Sequence, residues 1–531
     1  MAAFISLLFL FVTLLHNSQS RGLAGSSHDK VIVCYVSRWS VYRPGAGSFD
    51  IHDIEPSLCT HIIYCFVGMD ENTFKIKNID PYQDLEENGG KGGFKRFIAL
   101  KEKHPHLKLS VGIGGWNEGS AKYSKMAADP KLRTIFIRSV MNYLEKYKFD
   151  GLDLNWDYPT QRGGKPEDRT NFVTLIRELS EEFETNGYLL TSALRTGKDD
   201  MDVVYDLVHV NYYLDFMHIM TYDYHGAWDG VVGANAPIYG QHENDIYSID
   251  YTISYLLSKG LTPSKMVFGL AMYGRTSTFN VPNPKKIVFG ETTTVTTGFA
   301  GPFSKENGFM GYNEICLEFT NKSSPWVHGW DEKTSTPYIA DETRFITYDN
   351  PRSIANKVKY AMDRGIGGFS AWSIVTDDFR GSCDDEPDTY KDYIERFNKI
   401  ADQPLLKDAL ISLKEAGVET EFYVISDKKA KLRLPKPRFA NYPLLRTVNE
   451  AINLATEEKK VFDEMERIKD IRRIDIEKGK SPCVRTCTEV CYYGISTVLR
   501  DEETLPINTR KSKSQQAKAG SLPHFKSPKK Y

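Results

Sequence analysis

Eight short apolar runs, separated by amphipathic or loop stretches, limit what this chain can fold into: Val31–Val36, His61–Phe66, Lys108–Gly112, Gly151–Asn155, Leu189–Ala193, Phe216–Met220, Val267–Ala271 and Gly368–Ala371. Apolar strands alternating with helices imply a parallel sheet covered by helices, because both faces of each strand are then buried. Among the intervening stretches, Thr170-Asn171 reads as an N-cap. It leads into a helix over Phe172–Phe183, with Phe172, Leu175, Ile176, Leu179 and Phe183 on one face. Eight such units suit an α/β fold closed into a (β/α)8 (TIM) barrel. Periodicity alone leaves an open doubly wound sheet as the alternative.

The fourth run carries acidic residues inside an apolar strand: Asp150-Gly151-Leu152-Asp153-Leu154-Asn155-Trp156-Asp157-Tyr158. The period of two is expected to turn Asp150, Asp153, Asn155 and Asp157 to one side, with Asp157 at the rim where barrel sites form. Carboxylates among Leu152, Leu154 and Trp156 make a poor solvated face, which argues against a merely charged surface strand. The segment resembles the catalytic strand of family 18 chitinases, whose pattern is D-G-x-D-x-D-x-E. Asn155 stands where that pattern has its third Asp, and Asp157 where it has Glu.

The resemblance implies hydrolysis of β-1,4-linked N-acetylglucosamine with substrate assistance, an exception to the two-carboxylate scheme. The family's Glu protonates the leaving oxygen, and the Asp two residues earlier orients the acetamido N–H and balances the oxazolinium charge. The catalytic positions here are Asp157, Asn155, Asp153 and Tyr222. Asp157 is one methylene short, and about 1 Å of misplacement can cost on the order of 10²-fold. Asn155 accepts a hydrogen bond but carries no charge for the cationic intermediate. The resemblance therefore implies an impaired acid/base pair beside an intact binding pocket. The expected ligand is chitin or a chitooligosaccharide. A weak endochitinase with Asp157 as acid is the enzymatic alternative, and an interaction protein on a chitinase scaffold is the third.

Other segments carry the resemblance residue by residue. Tyr35 and Phe66 match the floor of strands one and two, and Ser110-Val111-Gly112-Ile113-Gly114-Gly115-Trp116 matches the strand-three segment. Met220-Thr221-Tyr222-Asp223 matches M-x-Y-D, whose Tyr and Asp bind the reacting acetamido group. Tyr273-Gly274-Arg275 matches Y-G-R. Trp372 corresponds to the indole beneath the reacting sugar, and Trp39, Trp116 and Trp228 to stacking platforms along the cleft. Substrate-binding roles thus fall to Tyr35, Trp39, Phe66, Trp116, Met220, Asp223, Trp228, Arg275 and Trp372. No motif demands a metal or cofactor.

The domain reading is a barrel over 29–383, interrupted by an α+β insertion over 276–350 between strands seven and eight. An extra charged insertion (384–441), a closing barrel helix (442–452) and a charged, partly disordered tail (453–531) follow, the tail opening with a charged helical stretch over Glu457–Lys480. Residues 1–20 read as a secretory signal peptide, placing the protein outside the cell. The eight cysteines suit that compartment. The resemblance pairs Cys34 with Cys59 and Cys316 with Cys383, while Cys65 reads as a buried thiol. Cys483, Cys487 and Cys491 fall on one helix face, without the histidines a zinc site would want. Asn321-Lys322-Ser323 is a glycosylation sequon. A net charge of −2 excludes a nucleic-acid protein, and no run is long enough to span a membrane. The tail from Asn508 holds seven Lys/Arg and no acid. It is a solvated end or a contact for a protein or an acidic polysaccharide.

Overall fold

In a computed structural model, which describes residues 28–320, 325–383, 387–435 and 440–477, the eight apolar runs are eight strands. They are Val31–Ser37, His61–Met69, Lys108–Gly114, Gly151–Asn155, Leu189–Leu194, Phe216–Ile219, Met266–Ala271 and Gly368–Trp372. Each pairs in parallel with its neighbour. The first strand pairs with both the second and the eighth, so the sheet closes into a (β/α)8 barrel and the open sheet is excluded. Every residue of Gly151–Asn155 is buried, as expected of a strand facing packed side chains inward and helices outward.

The helix after strand four runs Asp168–Asn186 and buries Phe172, Leu175, Ile176, Leu179 and Phe183, the expected face. Its start differs from the Thr170-Asn171 reading. Asp168 is buried and accepts the Lys165 N–H at 2.7 Å and the Asn171 amide at 3.0 Å, and the helix begins there, four residues before Phe172. Between strands seven and eight, a five-stranded antiparallel sheet includes Tyr273–Thr278, Val327–Asp331, Thr336–Ala340 and Arg344–Thr347.

Beyond strand eight the charged stretch folds. Helices Lys391–Ile400 and Pro404–Glu415 precede a hairpin of Tyr423–Ser426 and Lys429–Leu432. The helix beginning at Pro443 does not end near 452 but continues to Glu477. Glu457 on that helix accepts the backbone N–H groups of Glu421, Phe422 and Tyr423 at 2.5, 2.7 and 3.4 Å, which ties the hairpin to it. Tyr390 donates to Glu450 at 3.0 Å from the other side. These contacts satisfy a buried carboxylate that would otherwise carry a desolvation cost. Residues through Ile471 belong to one compact unit.

Cys34–Cys59 and Cys316–Cys383 are disulfide-bonded, and Cys65 is a buried free thiol. Among the described residues, no helix is long and apolar enough to cross a membrane. The signal segment, the Asn321 sequon, the cysteine trio and the basic tail lie outside the described residues.

Asp377, just past strand eight, accepts the N–H groups of Leu444 and Leu445 at 3.4 and 3.0 Å, in the first turn of the closing helix. Burial pushes its carboxyl up to about 7, against the pull of those backbone donors. A folded-state value above the unfolded value of about 4 gives stability that is complete below that value and lost as pH rises through about 7. Urea midpoints measured across this window should therefore fall for the wild type relative to Asp377→Asn, whose amide does not titrate. Parallel midpoint curves would contradict this.

Candidate active site

A buried carboxylate stands at the centre of the barrel. Asp153 is fully buried and receives donors from three other strands and its own. The Tyr35 hydroxyl donates to Oδ2 at 2.9 Å and the Thr191 hydroxyl to Oδ1 at 2.7 Å, while Nδ1 of His218 stands 3.2 Å from Oδ1. The Tyr35 oxygen lies 2.6 Å from that same Nδ1. Asn155, buried above it on the same strand, donates its side-chain amide to Oδ2. Burial alone would raise the Asp153 carboxyl. The His218 imidazole and the hydrogen bonds from His218, Thr191 and Asn155 outweigh it and hold the group below the usual carboxylate range.

Asp150 does not share this face. It lies three residues before Asp153, an odd spacing, so its side chain points the other way. There it accepts the Leu109 N–H at 2.6 Å and pairs with Lys101 at 2.6 Å.

Strand three ends where strand four's acidic residues emerge, and this close approach accounts for Gly114-Gly115. Gly114 has φ +107°, and a Cβ there would stand 2.2 Å from the Asn155 carbonyl oxygen. The Gly115 N–H donates to that oxygen at 2.8 Å. Only a chain without Cβ atoms fits.

Asp157 is half-buried at the rim. Burial pushes its carboxyl above the ordinary range, opposed by Arg195 and Arg162 and reinforced by Asp153. The Ser120 hydroxyl donates to the backbone carbonyls of Asp157 and Tyr158 at 3.3 and 2.9 Å and holds the turn that carries Asp157. Trp116, half exposed, lies under Arg162, whose Cζ is 3.7 Å from the ring centroid.

Opposite this rim, Asp223 takes three donors. The Tyr273 hydroxyl reaches it at 2.6 Å, and Arg275 reaches it through Nε at 2.8 Å and Nη2 at 2.6 Å. Asp223 has φ +61°, a conformation that Asp tolerates better than most residues, and its N–H donates to Asn235 at 3.0 Å. Tyr222 is buried and meets Tyr273 edge to face, and Met220 is buried two residues earlier on the chain. Arg275 also lies 5.2 Å from the ring of Trp228, which is exposed. The floor is aromatic: Trp372 stacks near Phe66 at 5.9 Å and meets Tyr35 edge-on at 5.3 Å, and Phe66 stacks on Trp39 at 6.1 Å. Of the four strand-four positions expected on one face, Asp150 is the one the structure turns away.

Comparison with known proteins decides what kind of site this is. The family described as Glycosyl hydrolases family 18 matches residues 31–377. This chain belongs to glycosyl hydrolase family 18. It is 45% identical over 443 residues to "Probable chitinase 2" of Drosophila melanogaster, covering 82% of this chain and 83% of that one. That match is longer than the segment 31–377, so similarity extends beyond the barrel into the folded region after it. An endochitinase of Manduca sexta is 37% identical, with 66% of this chain and 64% of that one covered. Among solved structures, the Group IV chitinase of Ostrinia furnacalis in complex with allosamidin superposes with a TM-score of 0.64 at 38% identity, covering 70% and 99% of the two chains. Human YKL-39, described as a pseudo-chitinase with retained chitooligosaccharide binding properties, superposes at 0.60 with 29% identity, covering 70% and 100%.

Four residues of this family 18 site escaped the sequence analysis: Thr191, Arg195 and His218 on or next to strands five and six, and Arg162 in the turn after strand four. The first three were within reach of the same period-two argument used for strand four. Thr191, Ala193 and Arg195 alternate inward, as do His218, Met220 and Tyr222. Arg162 follows no strand period and is placed only by its turn. Because the His218 imidazole offsets burial at Asp153, His218→Gln should raise the pH at which the Asp153 carboxyl titrates. Carbon-detected NMR of labelled aspartate checks this, and an unmoved titration would remove His218 from its role.

Proposed function

We propose that this chain is a secreted family 18 protein that holds N-acetylglucosamine oligomers in the barrel cleft with little or no hydrolysis. The observation that carries this reading is the Asn155 side chain. Its amide donates to Asp153, so its carbonyl oxygen is left to orient an acetamido N–H, but it brings no negative charge to an oxazolinium. Asp157, shorter than Glu, has to protonate from farther back. The contacts a sugar would use are in place: Trp372, Phe66 and Trp39 form an apolar floor, and Tyr222 and Asp223 stand on one wall. Support also comes from human YKL-39, described as a pseudo-chitinase with retained chitooligosaccharide binding properties. Two disulfides fit the secreted compartment to which residues 1–20 point.

One observation favours a residual enzyme. Burial raises the Asp157 carboxyl, the direction a general acid needs, and the 45% identical Drosophila relative is named a probable chitinase. The double variant Asn155→Asp, Asp157→Glu separates the two readings. Reducing-end release from chitotetraose should rise on the order of 10²-fold or more over wild type, since about 1 Å of reach and the buried charge are both restored. Equal rates would show that these two positions do not limit hydrolysis. For binding, Trp372→Ala should weaken chitotetraose affinity by roughly 1–3 kcal/mol, the value of a stacked, partly buried ring. Calorimetry gives the answer directly. No detectable wild-type affinity would end the binding reading.

A further inference from the structure

Two guanidiniums, those of Arg162 and Arg195, stand near Asp157 without a close ion pair to it. Arg162 Cζ is 3.7 Å from the Trp116 ring centroid, and Arg195 Cζ is 5.6 Å from that same centroid and 4.7 Å from that of Tyr158. Neither forms an ion pair among the described residues, and Nε of Arg195 is buried with no hydrogen-bond partner. The third guanidinium of the cleft, Arg275, is instead bound by Asp223 through two nitrogens at 2.8 and 2.6 Å. Like charges converging on one indole repel each other, yet both arginines are held there by the fold. Arg162 sits at φ +53° with its carbonyl accepting the Ser120 N–H at 3.1 Å, and Arg195 follows directly on strand five. Asp157 and Asp223 act on Arg195 only through space, and neither places a carboxylate oxygen in a close ion pair with it.

We propose that the Trp116 side of the cleft is an anion-recognition subsite, whose ligand is an amino-sugar oligomer carrying a carboxylate or sulfate on the unit that meets Trp116, Arg162 and Arg195. This rests on the reading of the cleft as a binder of N-acetylglucosamine oligomers and narrows its ligand class. A guanidinium stacked on an aromatic face keeps its N–H edge free, and its planar fork matches carboxylate or sulfate oxygens in pairs. A neutral N-acetylglucosamine unit leaves both charges unanswered, and a deacetylated unit, being an ammonium, adds a third positive charge.

The test is calorimetry on the full chain with four tetramers: neutral chitotetraose, 6-O-sulfated chitotetraose, chitotetraose oxidised to carboxylates at C6, and fully deacetylated glucosamine tetramer. At low ionic strength one anionic tetramer should bind about tenfold or more tighter than the neutral one, as expected of charge-assisted hydrogen bonds. The deacetylated tetramer should bind most weakly. The sulfated and oxidised arms tell which anion the subsite prefers. The preference should shrink with added salt and disappear in an R162Q/R195Q double variant, while R162K/R195K, which keeps the charge without the fork, should retain part of it. Neutral and anionic tetramers binding equally to the wild type would overturn this inference alone. A preference that survives in R162Q/R195Q would also overturn it. Binding of the anionic tetramers without the neutral one would support the subsite and overturn the neutral-oligomer reading. Binding of none would overturn both.

Discussion

The site depends on keeping one carboxylate ionised inside a barrel. Asp153 has no solvent, and an unpaired buried charge costs several kcal/mol. It is kept because strands one, four, five and six each contribute a partner: Tyr35, Asn155, Thr191 and His218. These partners come from positions far apart in sequence, so the hydrogen bonds also fix the relative heights of four strands. A carboxylate held this way supplies a constant negative charge beneath Asn155. Any ligand group bound above it meets that charge through a neutral amide rather than through a second acid.

Around this anion the cleft divides by chemistry. One wall is a neutralised pair, Asp223 with Arg275, braced by the Tyr273 hydroxyl. Another part carries Asp157 with Arg162 and Arg195, whose guanidiniums make no close ion pair among the described residues. The floor of Tyr35, Phe66, Trp39 and Trp372 is apolar and rigid, because each ring packs on the next. On the proposed reading, binding and acid chemistry rest on different residues, and the changes at positions 155 and 157 remove the second while leaving the first.

The region after strand eight has its own logic. Asp377 caps the closing helix, and Glu457, one buried carboxylate farther along, gathers the backbone of the 421–423 turn. A charged stretch that reads from the sequence as an extra insertion is thereby folded onto a single long helix. Its charges are spent partly on these contacts, including Arg396 with Glu458 at 3.4 Å. Composition records charge but not pairing, so this docking was invisible before the helix and the hairpin were brought together.

The eight strand positions, the inserted sheet and both disulfides were legible in the sequence. Buried parallel strands leave apolar runs of a characteristic length, and the family pattern marks the strand ends. The errors came where a one-dimensional rule was stretched. Asp150 was placed on the wrong face by miscounting an odd interval. The helix at Asp168 starts early because a buried carboxylate, rather than the nearest Thr-Asn pair, organises its first turn. What only tertiary structure decided is which charges meet. That His218 steadies Asp153, that Asp223 satisfies Arg275, and that Arg162 and Arg195 share one indole all depend on residues tens of positions apart. Electrostatic energy depends on separation in space, and the order of residues along the chain carries no such distance until the barrel closes.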